Sequence, residues 1–181
     1  MVLEITQYGN PVLRKKCKVI EEITEEVKNL ADDMIVTMEA ANGVGLAAPQ
    51  VGEDIRLAVV DVSHDPECIS IFKVNGEDSN MLDYMPLVFI NPELKFGKEK
   101  SSDTEGCLSI QELRASVRRP QVVKASLPQL DGTILEVETD GLLSRAIQHE
   151  VDHLNGILFS DRVSAAVKPR VKRHLKMLLS V

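Results

Sequence analysis

A chain of 181 residues, 44% apolar and 27% charged, has the balance of a soluble globular protein with one sizeable core, and with no tryptophan that core must be filled by aliphatic side chains. No apolar run approaches the ~20 residues of a membrane span, the start MVLEITQYGN lacks the basic and apolar regions of a signal peptide, and an odd three cysteines do not make a disulfide framework; the expectation is a protein of the reducing cytoplasm with no membrane partner. The formal charge of −7 hides an asymmetry, because residues 168–181 (KPRVKRHLKMLLSV) carry five Lys or Arg and no acid, while the other 167 residues hold 16 basic and 28 acidic side chains.

Residues 25–42 are predicted as the first helix. Thr24 can cap it, Glu25 and Glu26 suit the positive end of its dipole and Gly43 can close it; Val27, Leu30, Met34, Met38 and Ala41 recur at helical spacing as its buried stripe. GVGLAAPQVG (43–52), with three glycines and a proline among small apolar residues, marks a loop where backbone can approach something closely. IRLAVVDV (55–62) reads as a strand. Residues 63–86 form a long excursion with a short strand near ISIFKV, serving as a lid or as surface decoration. LVFINP (87–92) is a strand ended by Pro92, and EGCLSI (105–110), RASVRR (114–119) and QVVKASL (121–127) follow as extended segments. LDGT (130–133) is a hairpin turn and ILEVET (134–139) its return strand. Helix returns over 141–155, and a last helix follows Pro169. Helix, many strands, helix, helix is the order of an α+β fold with mainly antiparallel sheet, expected to form one catalytic domain over 1–181.

QHEVDHLNG (148–156) sets His149 and His153 four apart, one turn apart on one helix face, where both can hold one ion. Glu150 stands beside them, able to work on a water bound to that ion. Two ligands do not make a site. The longer pattern H-E-x-x-H-x-x-G-x-x-H fits through Gly156 and fails at Phe159; no glutamate follows Glu150; Asp161 comes too soon after the helix, and His174 lies in the basic tail, a poor field for a cation. Upstream, Cys107 in EGCLSI is the best third ligand, against the alternative of a buried, inert core cysteine. A Cys-His-His set keeps one position open, which is a catalytic arrangement.

GVGLAAPQ (43–50), EGCLS (105–109) and QHEVDHLNG (148–156), in that order, resemble the three signature motifs of the peptide deformylase family, and the likeness runs from GNPVLRKKC near the amino terminus to GILFSDR. The resemblance implies an enzyme that removes the formyl group from the N-terminal methionine of newly made polypeptides and releases formate. It implies antiparallel sheets packed around a central helix carrying the histidines, with a C-terminal helix. It also implies metal ligands Cys107, His149 and His153, with Glu150 as general acid/base of attack by a metal-bound water, and Gln50 and the Leu108 backbone N–H as donors to the oxyanion. The metal it implies is ferrous iron, for which zinc, nickel or cobalt can substitute. The substrate is expected to lie as an added strand alongside Val44 and Gly45, with Val44 and Leu142 lining the methionine pocket and Arg114 toward the substrate end of the cleft. Gln111 stands where many members have proline, which predicts a looser turn after the cysteine motif.

Two other readings remain open at this point: an HExxH metallopeptidase, disfavoured by Phe159, and a catalytically silent peptide-binding relative, disfavoured by the presence of Glu150 and Gln50. In the tail, Val171, Leu175, Leu178 and Leu179 follow helical spacing and are expected to pack, leaving Lys168, Lys172, Arg173 and Lys176 outward. That strip is either a solvated face or a surface that docks on the phosphate-rich ribosome, with no sequence-specific reading of nucleic acid.

Overall fold

The computed structural model describes all 181 residues. Helix α1 spans Glu25–Ala40 and is capped as expected, the Thr24 hydroxyl accepting from the Val27 N–H at 3.3 Å. Ala31, Met34, Thr37 and Met38 are its buried residues, Val27 and Leu30 pack beside them half-buried, and Ala41 is already the C-cap. The helix ends differently from expectation. Asn42, not Gly43, takes the left-handed backbone (φ 54°), with its N–H on Glu39 O at 3.0 Å and the Gly43 N–H on Met38 O at 2.9 Å. Asparagine tolerates that region. Gly43 is small for another reason: a Cβ there would stand 2.8 Å from Leu108 Cδ1.

The expected loop at 43–52 contains strand β1 (Gly45–Ala47) and a 3-10 turn (Ala48–Val51). Strand β1 pairs antiparallel with β2 (Leu57–Val60). Leu57 and Val59 cluster with Met34 and Met38 of α1, whereas Ala58 and Val60 cluster with Leu143 and Ile147 of the second helix. A strand covered on both faces can be apolar throughout, which is why LAVV shows no alternation.

Residues 63–86 hold strands β3 (Phe72–Val74) and β4 (Glu77–Asp78), joined across Asn75 and Gly76, both at positive φ. Strand β5 (Leu87–Ile90) completes a three-stranded sheet of order β1-β2-β5. Asn91 (φ 44°) then turns the chain, and after Pro92 it forms β6 (Glu93–Phe96) in a different sheet, a strand the sequence reading missed. Strands β7 (Lys100–Cys107) and β8 (Ile110–Pro120) make a long hairpin. Cys107 pairs with Ile110, so the turn through Leu108 and Ser109 is tight rather than loosened; the irregularity falls on a register shift at Gly106/Cys107 and on Glu112 at φ 59°. Strands β9 (Val123–Pro128) and β10 (Ile134–Thr139) form the expected hairpin, and β10 also pairs with β3, giving a five-stranded antiparallel sheet of order β4-β3-β10-β9-β6. Five residues of the excursion therefore belong to a sheet, and only His64 of the excursion borders the main cleft.

Helix α2 (Gly141–Leu154) runs through the centre with 11 of its 14 residues buried, as befits a helix enclosed on nearly all sides. Helix α3 (Lys168–Leu179) lays Val171, Leu175 and Leu178 against Leu113, Val117 and Phe159. Leu179, expected on that face, is 58% exposed. The arrangement is α+β, with antiparallel sheets around α2 and a C-terminal helix.

Candidate metal centre and its cleft

Helix α2 places His149 and His153 one turn apart, and the end of β7 brings Cys107 to them. Their ligand atoms all lie within 4.8 Å of one another, with Cys107 Sγ 3.4 Å from His153 Nε2. An ion held tetrahedrally by sulfur at ~2.3 Å and nitrogen at ~2.0–2.1 Å sets that separation at about 3.6 Å. The Cys107–His153 pair is thus already at coordination spacing, and the three side chains together fit the donor set of a metal ion.

The protonation states also suit an ion. His149 Nδ1 meets Glu105 Oε1 at 2.9 Å; an ionised carboxylate only accepts, so Nδ1 carries a proton and Nε2 is left as the ligand atom. Burial works against charge on His149, but hydrogen bonds to Cys107 and Glu105 outweigh it and hold its pKa well above the ordinary value. Burial, reinforced by the charge on His149, holds His153 well below, so it is neutral. An incoming cation thus finds one neutral imidazole and displaces a proton from the other.

Glu150 is 4% exposed and its Oε2 has no hydrogen-bond partner. Burial pushes its pKa up to about 7, with His149 opposing and Glu105 adding to the rise. Such a carboxyl can both take and return a proton at neutral pH. Gln50 is fixed at both ends: Oε1 accepts from the Ala47 N–H at 3.0 Å, while Nε2 faces Cys107 Sγ at 3.5 Å and Ser109 Oγ at 3.2 Å.

These groups border a cleft of about 740 Å³ whose walls include Val44, Gly45, Gln50, Cys107, Leu108, Arg114, Leu142, His149 and Glu150. His153 lies beneath it, 1% exposed. Strand β1 is the edge of its sheet. The Asp61 N–H donates to Val44 O, so Val44 and Leu46 are the residues bonded to β2 and Gly45 turns its N–H and C=O to the open edge. Arg114 lies across from Gly106, where a Cβ would stand 3.3 Å from its Nη1.

The comparisons with known proteins agree with this geometry. Residues 2–169 match the family model for polypeptide deformylase. The chain belongs to that family. It is 42% identical over 178 residues to the peptide deformylase of Methylacidiphilum infernorum, covering 98% of this chain and 93% of that one. It is 46% identical over 162 residues to peptide deformylase 2 of Gloeobacter violaceus, covering 89% and 79%. Among solved structures it superposes on the peptide deformylase of Synechococcus elongatus in complex with actinonin with a TM-score of 0.80 at 35% identity, covering 97% and 85%. For the Thermotoga maritima enzyme the TM-score is 0.77 at 37% identity, covering 91% and 99%. The enzyme is a metal-dependent hydrolase that removes the N-formyl group from nascent polypeptides, which displaces both the metallopeptidase and the silent-relative readings. No helix is long and apolar enough to cross a membrane.

The three positions weighed for a third ligand downstream each have other contacts. Phe159 stacks on the His149 ring, with centroids 6.0 Å apart. Asp161 pairs with Arg14, and His174 Nε2 contacts Gln111 O at 2.7 Å. What the sequence reading missed is the buried charge network under the site. Arg119 bonds Glu105 through Nε (2.7 Å) and Nη2 (2.9 Å) and Asp152 through Nη1 (2.9 Å). Arg145 also reaches Glu105 (2.7 Å), and Arg162 takes Asp152 bidentately (2.6 and 2.7 Å). Burial alone would raise the Glu105 pKa, but bonds from Arg119 and His149 hold it well below the usual carboxylate range. Glu105 is thus a permanent anion that orients His149.

Proposed function

We propose that Cys107, His149 and His153 hold the catalytic ion, that Glu150 is the general acid/base, and that the Gln50 amide and the Leu108 N–H receive the negative oxygen that develops on the formyl carbonyl. The observation that carries this reading is the 3.4 Å approach of Cys107 Sγ to His153 Nε2 beside a buried Glu150 carboxyl with a free oxygen. A divalent ion bound there supplies a water acidic enough to attack an amide carbonyl at neutral pH. Glu150 accepts the nucleophile's proton and delivers it to the departing methionine nitrogen as the formyl C–N bond breaks, giving formate and a free amine. Gln50 is a neutral donor already fixed by Ala47, so little reorganisation accompanies the reaction.

In the same reading the substrate backbone adds to β1 at Gly45, its methionine side chain lies between Val44 and Leu142, and Arg114 attends the chain beyond. Residues from 43–50, 105–114 and 142–153 all contribute, which supports 1–181 acting as one catalytic unit. Three free cysteines and a nascent-chain substrate favour the cytoplasm, and the basic face of α3 is a docking surface for the ribosome.

Ferrous iron is the proposed resident ion, with zinc, nickel or cobalt able to substitute; a thiolate with two imidazoles suits all of these. Elemental analysis of protein purified without oxygen tests the ion, and activity that decays in air while the nickel form persists is the expected companion. Equal lifetimes in air and argon would remove iron. The roles are tested by formate release from a formyl-Met peptide. Glu150→Gln should keep its metal and lose about 10²- to 10⁴-fold in turnover, and Cys107→Ser should lose the metal. Near-normal turnover of metal-loaded Glu150→Gln, or full metal content in Cys107→Ser, would overturn the corresponding role.

A further inference from the structure

Helix α2 separates two clefts. Leu142, Arg145, Ala146 and His149 face the catalytic one, while Gln148, Val151, Asp152 and Asn155, on the other side of the helix, line a second cleft of about 500 Å³. Its walls carry five cations, Arg56, Lys100, Arg118, Arg119 and Arg162, and a single carboxylate, Asp152. Arg119 and Arg162 are neutralised by that carboxylate and, for Arg119, by Glu105. Arg56 bonds only to Leu154 O and Asn155 Oδ1, both neutral, and neither Lys100 nor Arg118 has a carboxylate partner. Three cations without a carboxylate partner lining one concavity are unusual in a chain of net charge −7. Such a concavity draws anions. Among its lining residues is Phe96, 57% exposed on the edge strand β6.

We propose that this second cleft binds a nucleotide phosphate, the phosphate seated among Arg56, Lys100 and Arg118 and the base stacked on Phe96. The volume suits one nucleotide unit, and a cationic groove beside an exposed aromatic ring is the means by which proteins hold unpaired nucleotides without reading sequence. The unit is either a free nucleotide or one residue of an RNA strand crossing the cleft.

The test is equilibrium binding, at low salt, of a short unstructured RNA oligonucleotide and of a nucleoside monophosphate to the metal-loaded enzyme. A Lys100→Gln/Arg118→Gln double variant leaves the buried pairs of Arg119 and Arg162 intact, so turnover of a formyl-Met peptide should match the parent and report an intact fold. Its RNA affinity should fall at least tenfold. The slope of log affinity against log salt should shrink by up to about 0.7, the contribution of the one single-strand phosphate that the cleft neutralises. Phe96→Ser should weaken binding about tenfold and leave the salt slope unchanged, as loss of stacking does. Replacing the four outward basic residues of α3 by glutamine should leave binding at this cleft unaltered. Binding of both probes with the same variant losses assigns a free nucleotide; binding of RNA alone assigns a strand. Failure of the parent to bind either probe, or a double variant that binds as the parent does, overturns the site. Phe96→Ser at parental affinity overturns the nucleotide and leaves a bare anion cleft.

Discussion

The Glu150 carboxylate rests against the backbone of Gly45: a Cβ at position 45 would stand 2.5 Å from Glu150 Oε1 and 2.9 Å from its Cγ. The group proposed to move the proton is therefore held by the same residue whose N–H and C=O are turned to the open edge of β1. Glycine is required there for space, since Gly45 has no left-handed backbone.

Gly45→Ala should accordingly push Glu150 off its position without touching Cys107, His149 or His153. Displacement of a reacting group by about 1 Å costs on the order of 10²-fold in rate. The expected result is a loss of about that size in kcat with the metal content of the parent, measured by formate release alongside elemental analysis. An alanine variant at full turnover would show that the contact does not position Glu150.

Glu105→Gln tests the network beneath the metal centre. The change removes the anion that Arg119, Arg145 and His149 share, leaving buried cations less compensated. Breaking a buried pair costs about 3–5 kcal/mol, and loss of a ligand's orienting partner lowers metal affinity about 10- to 100-fold. Denaturant unfolding and competition with a chelator should both register the change. Parental values in both would reduce Glu105 to a bystander.

Asp140 stands at the start of α2, yet its side chain does not cap that helix. It accepts from the Ser70 N–H (2.8 Å), the Ile71 N–H (2.9 Å) and the Ser70 hydroxyl, tying the 63–71 segment to α2. Burial works to raise its pKa, but those bonds outweigh it and hold it below the ordinary value. A carboxylate with a depressed folded-state pKa contributes stability that is complete above its unfolded pKa of ~3.9 and disappears as pH falls through the folded one. The stability difference between parent and Asp140→Asn should thus be constant near neutral pH and shrink below about pH 4. Urea midpoints across that range would show it, and a difference that does not change with pH would count against the assignment.

Legibility in the sequence followed burial pattern. Helix α1 was readable because Met34 and Met38 recur on one face, and the β9–β10 hairpin because Asp131-Gly132 punctuates it. Strand β6 and the first half of β7 were not, because their side chains are mostly exposed and show no alternation. Strand β1 is three residues long inside a glycine-rich stretch, too short to carry a period. Cys107 was legible as a candidate because the downstream options were poor and the family resemblance pointed to it, and the fold brings its Sγ to 3.4 Å from His153 Nε2. Arg119 was missed although a signal existed: Leu113, Ala115 and Val117 alternate inward along β8, so position 119 points inward too. A charge on the inward register calls for a buried partner, and the partner, Glu105, lies across the hairpin, where chain order does not reveal it.

The basic tail supplies the last prediction. Val171 is buried and Leu175 and Leu178 half-buried against β8, so α3 is anchored to the body. Arg170 Nη2 reaches Arg114 O at 3.2 Å and His174 reaches Gln111 O, which fixes the helix beside two residues of the cleft wall. Lys168, Lys172, Arg173 and Lys176 are exposed, and none has a carboxylate partner. A surface carrying phosphate that engaged this strip would be held close to the mouth of the cleft, where a nascent chain has to enter. Neutralising four phosphates gives log affinity a slope of about −3 against log salt. Replacing the four residues by glutamine should leave turnover of a short formyl-Met peptide unchanged, because none of them borders the cleft. Co-sedimentation with ribosomes at low salt should fall, and so should the salt dependence of what remains. Ribosome binding that ignores either the substitutions or the salt would leave α3 as a solvated helix that only packs on β8.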